Sequence, residues 1–331
     1  MIVSKTPLRM SFVGGGSDLP SFYHYEDGAV LSTTIDKYMY VSVNNKFDGD
    51  IRLSYSQTED VDDVEKIKHP IVRNTLKMLQ ISGGIEIASM ADIPSKGSGL
   101  GSSSSYTIGL LNALSALKNN SISPNELGQL ASHIEIDLCG EPIGKQDQYI
   151  AAFGGIKLIK FHSDESVTVE PVNCSEGFVG QIEESILMFY TGKTRSASSL
   201  LREQSKNMNN SAKRSLIKEM ASLSYDLKYI FENNDLDSFG DILDKNWKLK
   251  SQIASGITNT QIDDWYQRGI NSGAKGGKLL GAGNGGFLMF YVPLHKQSNV
   301  IEGLKDLRSI PFSFDNTGSQ IVFNQINSIK S

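Results

Sequence analysis

With 331 residues, 39% of them apolar and 21% charged, the chain can fill a sizeable core and is not a disordered polymer; at about 150 residues per domain its length suggests two domains. Thirty-two Lys and Arg against 37 Asp and Glu leave a net charge of −5, which speaks against nucleic acid or an anionic membrane as the main partner, since both select a basic surface. Cys139 and Cys174 make neither a disulfide framework nor a metal cluster, no basic segment with a long apolar run opens the chain, and no uncharged apolar stretch approaches the ~20 residues of a membrane span, so a cytoplasmic location is expected.

The first half alternates short strand signals with glycine-rich loops. Residues 8–13 are apolar until Gly14-Gly15-Gly16 stops them, and residues 38–43 and 85–90 alternate with a period of two. Leu110, Leu111, Leu114 and Leu117 recur at helical spacing. Ser123-Pro124-Asn125-Glu126 is a capping box with proline at the first helical position. It opens a helix with the stripe Leu127, Ala131, Ile134 and Leu138, ended at Gly140, and a strand is expected over 155–161. Near residue 180 the pattern changes. A strand over 186–190 precedes three helical stripes, led by Leu216, Leu236 and Ile262, and a strand over 287–292 precedes a helix over 296–307 and short strands near 311 and 320. The change of pattern divides the chain into 1–178 and 179–331.

Three loops carry chemistry. Lys96, Gly97, Ser98, Gly99, Leu100, Gly101, Ser102, Ser103 and Ser104 lead directly into an amphipathic helix. Small residues let backbone N–H groups approach a ligand, and the helix start adds unpaired donors and a positive dipole end. That combination is a phosphate cradle, although it lacks the G-x-x-x-x-G-K-[ST] spacing of a Walker loop. The segment from Gly281 through Gly283 to Gly286 matches G-x-G-x-x-G, but strand-like residues follow it. A dinucleotide fingerprint must open a helix, so this segment reads as a glycine hairpin near another ligand. Gly14, Gly15, Gly16, Ser17 and Asp18 form the third loop, one strand-length after Arg9; Arg9 offers a guanidinium to phosphate and Asp18 an acceptor to sugar hydroxyls. Glu135 stands at the edge of the capped helix, and Asp147 in a loop just after it. Phosphoryl transfer needs Mg²⁺ held by oxygen ligands and a carboxylate near the accepting hydroxyl; these two acids supply both.

In this order the segments resemble the GHMP kinases (galactokinase, homoserine kinase, mevalonate kinase and phosphomevalonate kinase). The resemblance is carried by Thr6-Pro7-Leu8-Arg9 with Gly14 to Asp18, Pro94 with Gly97 to Ser103, Glu135, Asp147, and Gly281 to Gly286, and it covers essentially the whole chain. It implies an α/β (α+β) fold with an N-terminal α/β domain, a C-terminal ferredoxin-like domain and the active site between them. It further implies that the 96–104 loop binds the ATP phosphates, that Ser103 and Glu135 ligate Mg²⁺, and that Asp147, with Arg9 beside it, is catalytic. Gly16, Ser17, Asp18 and Gly283 would lie at the sugar.

The form Gly14-Gly15-Gly16-Ser17-Asp18 departs from the galactokinase motif and is similar instead to the heptose 7-phosphate kinases of the family and, more distantly, to fucokinases. Tyr190 to Ala197 is similar to the same group, and there Lys193, Arg195 and Ser196 offer cations and a hydroxyl to a distal phosphate. The expected partners are therefore a small sugar phosphate and ATP, with no nucleic acid and no membrane, in a monomer or homodimer. Rival readings are another sugar 1-kinase, such as a fucokinase-like enzyme, and a catalytically silent sugar and ATP sensor. The presence of Ser103, Glu135 and Asp147 speaks against the sensor.

Overall fold

A computed structural model describes residues 1–93, 97–192 and 197–325. Strands β1 (Ile2–Val13), β2 (Gly28–Asn45), β3 (Ile51–Ser54), β4 (Thr58–Val61), β5 (Ile85–Ala91), β6 (Lys157–Phe161) and β7 (Val167–Pro171) belong to a first, mostly antiparallel sheet. Its one parallel pair among the described strands is β3 with β5. β8 (Ile186–Tyr190), β9 (Gly276–Leu279), β10 (Phe287–Tyr291) and β11 (Arg308–Ser309) form a second sheet in the order β11-β8-β10-β9, antiparallel throughout. The chain then returns: β12 (Phe314–Asp315) pairs with β2 and β13 (Gln320–Asn324) pairs with β1. Of the residues after 178, these two short strands thus lie in the first sheet.

The long β1–β2 pair is the spine of the molecule. Leu8, Met10 and Phe12 are fully buried on β1 and meet a core that continues through Phe231 and Phe239 into Phe287, Met289 and Phe290 of the second sheet. Phe12 meets Phe239 edge-on at 5.5 Å between ring centres, a favoured aromatic geometry. Lys278 on β9 is buried and donates from Nζ to the carbonyls of Ser11 and Phe12 at 2.8 and 2.9 Å, tying the second sheet to β1.

Helix Ser102–Leu117 lies on the other face of β1 and β2 and is buried nearly all round. Gly109 permits that approach, because a Cβ there would meet Thr6 Oγ1 at 2.9 Å and Ser4 Oγ at 3.1 Å. Close seating of this helix brings its first turn beside Arg9. Ser123 caps the helix as expected, its Oγ accepting from Glu126 N at 3.3 Å, and the α-helix runs over Pro124–Ser132. It then widens into a π-helical turn over His133–Leu138, marked by the bond from Cys139 N to Ile134 O at 2.9 Å. Asp147 is not in a loop: it stands in the first turn of helix Gln146–Phe153, whose residues from Gln148 to Ala152 are all buried.

Candidate active site

Arg9 projects from β1 and Asp147 from the first turn of its helix, and the two meet in a bidentate pair. Arg9 Nε donates to Asp147 Oδ1 at 2.7 Å and Nη2 to Oδ2 at 2.7 Å. The third nitrogen, Nη1, donates to Gly99 O at 2.6 Å, and the Arg9 backbone N–H donates to Leu100 O at 3.0 Å. The guanidinium side chain is 6% exposed and the carboxylate 22%, so the pair is buried on the arginine side and open on the acid side. Fork-to-fork geometry of this kind fixes orientation as well as adding energy.

The glycine loop is locked over this pair. Gly99 and Gly101 have φ of +77° and +75°, a backbone that side chains rarely adopt. A Cβ at Gly99 would fall on Leu280 O, and one at Gly101 would lie 3.2 Å from Asp147 Oδ2. The Gly281–Gly286 segment is the β9–β10 connection, packed directly on the Ser98–Gly99 backbone. The second sheet thus shapes the glycine loop through glycine-to-glycine contact.

Glu135 sits on the π-helical turn, which turns its carboxylate inward; π-turns of this kind recur at functional sites. It is 1% exposed. Ser103 Oγ donates to Oε1 at 2.9 Å and Gln148 Nε2 to Oε2 at 2.6 Å. Burial pushes its pKa up to about 7, against the opposing pull of the Ser104, Ser103 and Gln148 hydrogen bonds. No lysine, arginine or histidine is paired with it among the described residues. A buried carboxylate next to a hydroxyl and without a cation suits a hard, oxygen-seeking metal ion. No group of three or more His, Cys, Asp or Glu that would cage a metal occurs among the described residues, so protein ligands alone would leave several positions for phosphate and water.

Asp18 lies across the same cleft and is 3% exposed. Its Oδ1 accepts from Gly16 N at 2.9 Å and its Oδ2 from Gln146 Nε2 at 3.1 Å. Burial raises its pKa, chiefly by desolvation, with the Asp147 charge adding to the rise. The cleft measures about 670 Å³, within the range of small-ligand sites.

The structure brings Arg9, Gly16, Asp18, Gly97, Ser98, Gly99, Gly101, Ser102, Ser103, Ser104, Glu135 and Asp147 to one cleft. Three expected residues are not on its wall. Leu100 is fully buried in the core, its N–H held by Ser98 Oγ at 3.3 Å. Ser17 is fully buried, and its hydroxyl lies within donating distance of Gly14 O and Ala29 O and accepts from Ala29 N. Gly283 packs on the Ile257 backbone, and Gly281 and Ala282 line the cleft in its place. Lys96, Lys193, Arg195 and Ser196 lie outside the described residues.

Two lysines at the site escape a motif search. Lys250 ends helix Phe239–Lys250 and donates from Nζ to Gly281 O; burial lowers its pKa to about 8, and the nearby Arg9 charge adds to the drop. Lys278 is buried with its pKa well below the usual lysine value, again through desolvation first. Lys250 continues the stripe Leu243, Trp247 at helical spacing, so its burial was legible. Lys278 has no such signal.

Two family models match the chain: the GHMP kinases N terminal domain over residues 66–155 and the GHMP kinases C terminal model over 226–307. Together they span more than half of the chain. A D-glycero-alpha-D-manno-heptose 7-phosphate kinase of Campylobacter jejuni is 29% identical over 96% of this chain and 97% of that protein. An L-fucokinase/L-fucose-1-P guanylyltransferase of Bacteroides fragilis is 26% identical over 87% of this chain but only 34% of that longer protein. Among solved structures, a D-glycero-D-manno-heptose 1-phosphate kinase from Bacteroides thetaiotaomicron superposes with a TM-score of 0.81 at 23% identity, covering 98% of this chain and 100% of that one. Motif order, two-sheet fold, glycine cradle and paired models agree: this chain belongs to the GHMP kinase family and is an ATP-dependent kinase.

Proposed function

We propose that the enzyme is a sugar kinase that transfers the γ-phosphoryl group of ATP to the anomeric hydroxyl of D-glycero-D-manno-heptose 7-phosphate. The product is the 1,7-bisphosphate, suited to nucleotide-activated heptose for surface glycans. The observation that carries the reading is the Arg9–Asp147 pair at 2.7 Å beneath the glycine loop, opposite Asp18 in one cleft. Each Asp147 oxygen keeps a lone pair beyond the one Arg9 occupies. In this reading Asp147 receives the hydroxyl proton while Arg9 holds the carboxylate in register and offers positive charge to the moving phosphoryl group. Backbone N–H groups of 97–104 cradle the ATP phosphates at the start of helix Ser102–Leu117. Ser103 and Glu135 are the candidate Mg²⁺ ligands, and the ion would offset phosphate charge there. Residues 1–178 are taken to carry ATP and sugar binding, and 179–331 to close the cleft.

The Campylobacter jejuni relative supports the heptose acceptor. The fucokinase relative keeps a fucokinase-like acceptor as the second reading. A coupled ADP-release assay across free and phosphorylated hexoses and heptoses separates them. The proposal expects the highest kcat/KM with heptose 7-phosphate; a preference for L-fucose, or no ADP with any sugar, overturns it.

A further inference from the structure

Three buried polar atoms in residues lining the cleft have no hydrogen-bond partner among the described residues: Gln204 Nε2, Gln146 Oε1 and Ser11 Oγ. Gln204 is 3% exposed and Ser11 5%. Native interiors rarely tolerate such orphans without a reason. In helix Ala197–Asn207, Gln204 stands four residues after Leu200 and four before Met208, both buried. The stripe calls for an apolar side chain at that step, and a carboxamide stands there instead.

Two of the orphaned side chains flank one feature, and Ser11 lines the same cleft. The Gly15–Gly16 backbone runs between the two carboxamides: a Cβ at Gly16 would fall on Gln204 Nε2, and one at Gly15 would lie 3.7 Å from Gln146 Nε2. Gln146 Nε2 donates to Asp18 Oδ2, which leaves the other end of that amide unused. The cradle therefore offers a free amide donor, a free amide acceptor, a free hydroxyl and a carboxylate. A hydroxyl both donates and accepts, so neighbouring hydroxyls satisfy all four. A phosphate or carboxylate would instead face the Asp18 charge and an acceptor carbonyl.

We infer that Gln204, Gln146 and Ser11 form a wall that reads the ring hydroxyls of the acceptor, making Gln204 a specificity-determining residue supplied by the second half of the chain. The inference rests on the acceptor being a sugar, as proposed above. A site built to hydrogen-bond a substrate hydroxyl discriminates strongly against the analogue that lacks it.

The test is steady-state kinetics of wild type, Gln204→Met and Ser11→Ala with D-glycero-D-manno-heptose 7-phosphate and its 2-, 3- and 4-deoxy analogues. Gln204→Met should raise the sugar KM about five- to a hundredfold and leave the ATP KM within about twofold. It should also abolish the penalty for one deoxy analogue that wild type shows. Ser11→Ala, which removes a hydroxyl with no hydrogen-bond partner among the described residues, should do the same at another ring position, and it decides the matter if Gln204→Met fails to fold. Equal deoxy penalties in wild type and variants, or equal rises in both KM values, overturn the inference. If wild type releases no ADP with the heptose, the heptose reading fails separately; calorimetric binding of D-mannose, L-fucose and D-galactose then decides. Sugar binding weakened by Gln204→Met upholds the wall, and binding of none of these sugars overturns it.

Discussion

Arg9 spends three nitrogens on two tasks: two grip Asp147 and one holds the Gly99 carbonyl. The arginine that orients the acid therefore also fixes the glycine loop proposed to hold the ATP phosphates. Asp147→Asn keeps one acceptor for Arg9 and nearly the same shape, but an amide cannot take the hydroxyl proton. Turnover should fall about 10²- to 10⁴-fold while ATP affinity changes little; near-normal kcat with the best sugar would remove Asp147 from its role. Ser103→Ala and Glu135→Gln each delete an oxygen, or its charge, from the proposed Mg²⁺ ligands. Both should shift a Mg²⁺ titration of activity to higher concentration more than they change the sugar KM; curves that overlay wild type would contradict the assignment. Arg9, Asp18 and Ser103 were legible because each belongs to an ordered motif, and Glu135 and Asp147 as two acids spaced between those motifs. Gln204 and Lys250 were legible only as polar residues on apolar stripes, and Lys278 not at all, because its partners Ser11 O and Phe12 O are 266 or more residues away.

At the scale of elements, the cradle depends on glycine contact between two loops that are distant in sequence. Gly99→Ala would force a Cβ onto Leu280 O at a φ of +77°. It should cost about 1–3 kcal/mol of stability and raise the ATP KM; thermal unfolding and nucleotide titration check both, and an unchanged ATP KM would separate the loop from the phosphates. The approach to Asp147 is anchored by Glu165, which accepts from Lys145 Nζ, from Tyr23 OH at 2.8 Å and, at 2.5 Å, from His24 Nε2. Partial burial pushes the Glu165 pKa up, but the Lys145, His24 and Tyr23 bonds outweigh it and hold it at about 2. With the folded value below the unfolded one, this anchor stabilises fully above about pH 4.5 and is lost as pH falls toward about 2. Glu165 is half exposed, so the effect is small. The melting-temperature advantage of wild type over Glu165→Gln should be constant above about pH 5 and vanish in acid; an advantage that grows in acid would contradict it. Strands with clean alternation and the capped helix were readable from local pattern. Helix Gln146–Phe153 was not, because it is buried on all sides from Gln148 to Ala152 and shows no polar face.

For the whole molecule, one hydrophobic core spans both halves of the chain. Phe12 of the first sheet packs on Phe231 and Phe239 of the second half, and β12 and β13 return to pair with β2 and β1. Calorimetric unfolding should show one transition; two resolved transitions would contradict a shared core. The change of pattern near residue 180 marked where the first strand of the second sheet begins, over 186–190, but the order of strands in either sheet was not visible. The return of the last strands was not, since a two-residue strand such as β12 carries no periodicity and its pairing depends on contacts such as Thr34 Oγ1 to Asp315 O at 2.6 Å. Among the described residues no helix is long and apolar enough to cross a membrane. The proposed reaction is phosphorylation of the anomeric hydroxyl of a heptose 7-phosphate. Phosphorus NMR of the product formed from ATP and D-glycero-D-manno-heptose 7-phosphate tests it most directly. ADP together with a second sugar phosphorus coupled to the anomeric proton is the expected result; ADP without that coupling, or a phosphate on any other carbon, would rule the reaction out.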